Sequence, residues 1–403
     1  MGSFKILPTK YLELFLMKSN RFDIYISLIF FILIFGVYGG ALQPIRLLAV
    51  LLFFYYFPLI YKELSNYKLQ SYFLIFSFIY GFCSIFFIIE NIKESMISFL
   101  YLAINLMLYA VLFVFYKKAN NSLMSCFKGV LGFLSIALVY AVYEISTGNH
   151  LSVNLTHDVE SLMARDYSSF TFGNYNTFLM VLIMMMPFLI YAISNYKFVY
   201  KIISAIFLLL ISYVVITNAS RSATVALCLS YGFLLLYRGS LIFKCAIVIC
   251  VSYLLINNLS VFEVLINRYD NVGYKSDGRW EVLTLPFDGL KENLLLGFGI
   301  GNFGYFASNN LSQMEVYAAH NFFGETLYEL GIFFLLFIIL ILINNFKTFI
   351  MKDYKIKVLF LHLVIIFIPF SLINSGYLVG VYVWIFLSLL ASISYFEGFK
   401  NVK

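Results

Sequence analysis

The chain alternates long apolar runs with short polar breaks. A helix needs about 20 largely apolar residues to cross a hydrocarbon core. With that window the runs centre near Ile29, Phe53, Ile79, Met107, Leu134, Met184, Ile206, Leu227, Ile247, Phe337, Ile365 and Ile385. The pattern predicts an all-α, polytopic integral membrane protein with about twelve spans, a single transmembrane domain over residues 1–403. Ser204 to Leu236 is too long for one span, so the polar stretch Thr217 to Ser222 predicts a tight turn between two helices at the membrane surface. The first run lacks the short apolar region and cleavage site of a signal peptide and is expected to stay in the membrane as an anchor.

Two breaks are longer than the rest, Ser146 to Phe170 and Asn257 to His320. Loops beyond about 15 residues commonly carry function. The second falls between the ninth and tenth spans, and its Trp280, Phe287, Leu290, Leu294 and Phe298 recur at near-helical spacing, which predicts a segment folded onto the membrane.

Composition narrows the class. With 62% hydrophobic and 12% charged residues, the chain cannot coat a water-facing surface, which excludes a soluble enzyme, a disordered chain and a disulfide scaffold. The net charge of +7 is to be sorted by side before it is read as an affinity. An N-terminus in the cytoplasm puts 19 of the 27 Lys and Arg inside, so both termini are expected there and the two long loops outside. The basic excess is then topological, and no nucleic-acid partner is implied. Arginine runs against this trend: Arg46, Arg165, Arg221, Arg268 and Arg279 fall outside, while 17 of the 20 Lys fall inside. A guanidinium offers a planar fork for phosphate or carboxylate, so these arginines mark either an anion site or ion pairs with the outward carboxylates. Cys83, Cys126, Cys228, Cys245 and Cys250 sit in or beside spans, which argues against disulfides or a thiol nucleophile.

Four stretches are candidates for chemistry. Gly299-Ile300-Gly301-Asn302-Phe303-Gly304 fits G-x-G-x-x-G but lacks the strand and βαβ unit of a dinucleotide site, so its glycines read as flexible backbone. Asp158-Val159-Glu160 is a weak acidic pair, and no His/Cys spacing suits zinc. His320 to Gly331 enters a span carrying Asn321, Glu325 and Glu329 at i, i+4 spacing on one face, with the last carboxylate about 13 Å down the axis. His320 can take a proton from a hydroxyl near neutral pH; the plainer alternative is that His320 and Asn321 cap the helix and Glu329 bonds a neighbouring one. Ser220-Arg221-Ser222 opens another span, where hydroxyls, amides and a guanidinium can gather an anion; Arg221 can also simply snorkel to the interface.

This ordered set resembles the bacterial O-antigen polymerase and O-antigen ligase superfamily of multi-spanning glycan transferases. The resemblance rests on Ser220-Arg221-Ser222, Gly278-Arg279-Trp280, Gly297 to Phe303, His320-Asn321 with Glu329-Leu330-Gly331, and Phe170 to Asn176 before the sixth span, so it covers roughly residues 165 to 335. It implies transfer on the outer, periplasmic face of the inner membrane, without metal or other cofactor, from a glycan on undecaprenyl diphosphate. Arg221 and Arg279 would hold the diphosphate, and His320 would orient or deprotonate the acceptor hydroxyl. Arg165, Ser220, Ser222, Asn321, Glu325 and Glu329 would line the substrate site, Glu329 as a support rather than a base. The acceptor would be the next lipid-linked repeat unit for a polymerase, or the lipid A core for a ligase. Membrane lipids and a chain-length regulator are the other expected partners. A transporter or flippase of lipid-linked glycan and a noncatalytic scaffold are the alternatives of another class. Against the transporter stand the outward clustering of charge, one dominant outer loop and the lack of an internal repeat.

Overall fold

A computed structural model describes residues 20–38, 40–151, 167–218, 220–237, 240–257, 287, 293, 295–310, 321–349, 353–371, 378, 380–393 and 395. Among these residues the regular structure is helical throughout. The longer elements are α1 (Arg21–Phe31), α2 (Pro44–Tyr55), α3 (Phe57–Leu64), α4 (Lys68–Ser84), α5 (Ile92–Lys118), α6 (Ser122–Thr147), α7 (Tyr175–Asn195), α8 (Phe198–Thr217), α9 (Arg221–Leu236), α10 (Leu241–Asn257), α11 (Phe303–Asn310), α12 (Phe322–Phe349), α13 (Tyr354–Ser371) and α14 (Val381–Ile393). Every one of the twelve apolar centres read from the sequence lies within one of these helices. Five stretches are long and apolar enough to cross a membrane by themselves: Ile89–Lys118, Ser122–Thr147, Tyr175–Asn195, Phe198–Thr217 and Phe322–Asn344. The helices α2 and α3 meet at a bend of 78° and would count as one further broken span, while Ser222–Leu236, Lys244–Tyr253 and Val381–Ile393 are shorter apolar helices. The architecture is that of a polytopic membrane protein; the total of twelve spans remains an expectation.

Helix α7 occupies the centre, and every residue from Phe178 to Ile193 is buried, as suits a helix that is apolar all round. Helices α1 and α6 cross closely because α6 presents small residues there. A methyl group on Gly129 would lie 2.5 Å from the Ser27 carbonyl oxygen, and the Ser27 hydroxyl donates to the Ser125 carbonyl at 2.8 Å. In a lipid setting such close backbone approach and interhelical hydrogen bonds take the place of the hydrophobic effect. The turn expected between Thr217 and Ser222 is present, since α8 ends at Thr217 and α9 begins at Arg221.

Contacts between turns sort the bundle into two ends. At one end Asn20 donates to the Lys118 carbonyl, Glu63 pairs with Lys117 and Lys118, and Tyr354 donates to the Leu236 carbonyl. Asp23, buried near the start of α1, accepts from the Asn120 and Asn121 amides and the Ser125 hydroxyl. We call this the basic end. At the opposite, loop end, the Val37 amide donates to the Thr171 carbonyl and the Thr171 hydroxyl to the Ile34 carbonyl. Because α5 finishes beside Asn20, its start at Ile92 also belongs to the loop end.

Candidate functional site

The turn that carries Ser220-Arg221-Ser222 is tied into the loop end by side chains. Asn218 closes α8, accepting the Ser168 amide at 3.0 Å and donating to the Val214 carbonyl at 2.7 Å. Ser220 is buried and precedes α9, yet its hydroxyl does not cap that helix; it donates to the Asn176 amide oxygen at 3.1 Å. Asn176 lies in the first turn of α7, whose start is capped by Asn174, accepting from the Asn176 and Thr177 amides. The Phe170-to-Asn176 stretch and the Ser220-Arg221-Ser222 stretch are therefore brought together. Arg221 is the first residue of α9, and Ser222 beside it is half-buried.

Behind this turn lies Glu144, near the end of α6 and buried. One carboxylate oxygen accepts the Ser168 hydroxyl at 2.6 Å and the Ser169 and Phe170 amides at 3.0 and 2.9 Å. The other accepts the Leu151 amide at 3.1 Å and stands 4.0 Å from His150 Nδ1. Phe170 holds a φ of +47°, which turns its amide inward against a local steric cost. His150 and Tyr167 stack with centroids 4.0 Å apart, so residues on the two sides of the 152–166 segment meet. Glu144 was not singled out in the sequence. It sits in the last turn of its helix, where a carboxylate reads as interfacial.

The second stretch is built around a broken helix. Gly331 interrupts α12 with φ 67° and ψ 179°, a conformation essentially confined to glycine. A break there leaves the carbonyls of the preceding turn without helical partners. The Phe298 and Gly299 amides fill that gap, donating to the Tyr328 and Glu329 carbonyls at 2.8 and 2.9 Å. Gly297, Gly299 and Gly301 all have positive φ, and a methyl group on Gly297 would fall 2.7 Å from both of those carbonyls. Gly299 and Gly301 of the G-x-G-x-x-G match are thus not the flexible backbone expected: methyl groups there would meet the Ser84 carbonyl at 2.5 Å and the Ser98 hydroxyl at 2.3 Å. They let the loop press on the end of α4 and on α5, while Gly297 lets it lie on the end of the half-helix. Asn302 locks the same loop to α5 and the turn before it, accepting from Asn91 at 2.8 Å and Ser95 at 3.3 Å, while the Ser84 hydroxyl accepts the Ile300 amide. Two of the first five spans, which carry no motif, supply this floor: α4 through Ser84, and α5 through Ser95 with Asn91 just before it. Phe298 stacks on Tyr328 with centroids 4.7 Å apart; of the other residues expected to fold this stretch onto the membrane, Phe287 is exposed, and Trp280, Leu290 and Leu294 lie outside the described residues.

The polar face expected along α12 is inward. Asn321, Glu325 and Glu329 are all buried. Asn321 caps the helix, its side chain accepting the Gly324 amide at 3.1 Å. Glu329 Oε1 accepts the Phe303 amide at 3.1 Å, which places a carboxylate at the start of α11 where a negative charge is favoured. The candidates Arg165, Arg279 and His320 lie outside the described residues. Among the described residues, no three His, Cys, Asp or Glu side chains gather as metal ligands.

The two stretches open at the same end. Helices α9 and α13 are antiparallel: Tyr354, at the start of α13, reaches the Leu236 carbonyl at the end of α9, and His362 stacks on Phe233. Further along α13, Phe367 packs on Phe322 and Phe323, the first residues of α12. The N-termini of α9 and α12 therefore face the loop end together, each aiming helix-end amides and positive dipole there. No curated protein matches the chain. Residues 205–339, from α8 into α12, match the family model described as O-antigen ligase, and that match supports the O-antigen polymerase and ligase superfamily.

Proposed function

We propose that the chain is a membrane glycan polymerase of the inner membrane, with its site on the periplasmic side and both termini in the cytoplasm. The loop end would be the outer face. The donor would be an oligosaccharide on undecaprenyl diphosphate and the acceptor the next lipid-linked repeat unit. Arg221 and Arg279 hold the donor diphosphate, with Arg165, Ser220 and Ser222 around it. Asn321, Glu325 and Glu329 shape the mouth of α12, and His320 orients the acceptor hydroxyl and takes its proton. The acceptor oxygen bonds to the anomeric carbon as the bond from that carbon to the diphosphate breaks. Undecaprenyl diphosphate departs, its charge met by the guanidiniums rather than by a metal. In-line attack inverts the anomeric configuration.

The observation that carries the reading is the shared direction of the α9 and α12 N-termini, both inside the segment that matches the O-antigen ligase family. A charged donor head between two helix ends and a guanidinium needs no nucleotide and no cytoplasmic domain. The same donor geometry serves a ligase, whose acceptor is the lipid A core.

Deletion of the gene followed by surface-glycan electrophoresis tests the proposal. Loss of the polymer ladder with a single repeat retained is the polymerase outcome; accumulation of long lipid-linked polymer would reassign the protein as a ligase, and an unchanged ladder would sink both. Complementation by Arg221→Lys should restore little polymer, since a point charge does not replace a bidentate fork. His320→Ala should restore none while inserting normally.

A further inference from the structure

We propose that Glu144 is a positioning residue for the anion site at Arg221, acting through Ser168 and Asn218; the inference rests on the donor-binding role given above to Arg221. The route is continuous. Glu144 accepts the hydroxyl of Ser168, the amide of Ser168 donates to Asn218, and Asn218 closes α8 two residues before Ser220. Every side chain on this route is fully buried. Glu144 holds both flanks of the 152–166 segment at once, through Leu151 on one side and Ser168 to Phe170 on the other. One carboxylate thus fixes Leu151 and Ser168 to Phe170, the described residues on either side of the segment that carries Arg165, and, through Asn218, the residue that closes α8.

A carboxylate is the group this place requires. Four donors converge on its two oxygens, and a carboxylate offers about four acceptor positions and no hydrogen of its own. Glutamine in the same position keeps one oxygen for the Ser168 to Phe170 side and turns an NH2 toward the Leu151 amide, donor against donor. Asp23 at the basic end is the matched control. It is likewise a buried carboxylate that accepts backbone amides, those of Asn20, Asn120 and Asn121, and a serine hydroxyl, and among the described residues none of these partners lies on α9.

The test is binding of sugar-free undecaprenyl diphosphate to the full chain in nanodiscs, measured for folded protein recovered by size exclusion. Glu144→Gln and Asn218→Ala should each weaken binding about tenfold, the scale of one disturbed buried hydrogen bond. Because both act along one route, the double variant should be no weaker than the worse single one. Asp23→Asn should lower the unfolding temperature and leave affinity unchanged. Should Glu144→Gln fail to fold, Asn218→Ala carries the same prediction alone. Wild-type affinity in these two variants, with Arg221→Ala weakened, would overturn the positioning role and leave the proposed function standing. Wild-type affinity in Arg221→Ala would remove the phosphate reading itself. Equal weakening by Asp23→Asn would reduce Glu144 to general stability.

Discussion

Around Arg221 the loop end is held by side chains, reaching both to backbone amides and to other side chains. Glu144 gathers amides, Asn218 takes the Ser168 amide, and Ser220 donates to Asn176. Around the glycine loop the main linkage is backbone to backbone: Phe298 and Gly299 donate to carbonyls of the half-helix that ends at Gly331, and contact is close because Gly297 and Gly331 carry no side chain. The first region depends on polar atoms that a conservative substitution can partly reproduce. The second depends on a shape that only glycine permits. Damage should therefore be graded at the turn and nearly all-or-none at the glycine loop.

Gly331→Ala should be the most damaging change. A methyl group there would sit 2.3 Å from the Leu295 carbonyl oxygen, in a backbone conformation that side chains do not adopt. The cost should be about 3 kcal/mol or more, read as a large fall in unfolding temperature and loss of the ladder. A mild effect would mean that the loop is not held by shape. Glu329→Ala comes next. It strands the buried Phe303 amide and should cost about 1–3 kcal/mol, whereas Glu329→Gln keeps an acceptor and should lie near wild type. If both variants fall equally in thermal unfolding, charge rather than the hydrogen bond holds α11. Ser220→Ala should be smallest, about 1 kcal/mol, since Asn176 beside it can turn to solvent. A drop as large as that of Gly331→Ala would erase the distinction between the two regions.

How far the sequence could be read differs between the same two regions. Glu329 stood out because it lies a full i+4, i+8 ladder inside an apolar run, where an ionisable group has to have a reason. Its partner, the amide of Phe303, is 26 residues away and could not be guessed. Glu144 is nearer the end of its span, so hydropathy alone reads it as an interfacial residue. Its burial appears only when the chain beyond it folds back over it. Arg46 cuts the other way. The sequence counted it among the arginines on the loop side, but it is buried, its guanidinium bonded to the Gly40 carbonyl and stacked 4.2 Å from the Tyr101 ring centroid. Opposition to the charge trend is therefore not enough to mark an anion site.

By itself the sequence determined the helical, membrane-embedded character, the position of each apolar segment and the ordered motifs. These follow from local quantities: the length of an apolar run, the spacing of 3.6 residues per turn and the cost of charge in hydrocarbon. Only the tertiary structure decided which turns meet, that Gly331 breaks its helix to receive the loop from Gly297 to Gly301, and that Glu144 reaches the turn before Arg221 through Ser168 and Asn218. Buried backbone amides and carbonyls must each find a partner, and in a bundle of apolar helices those partners lie far apart in the chain.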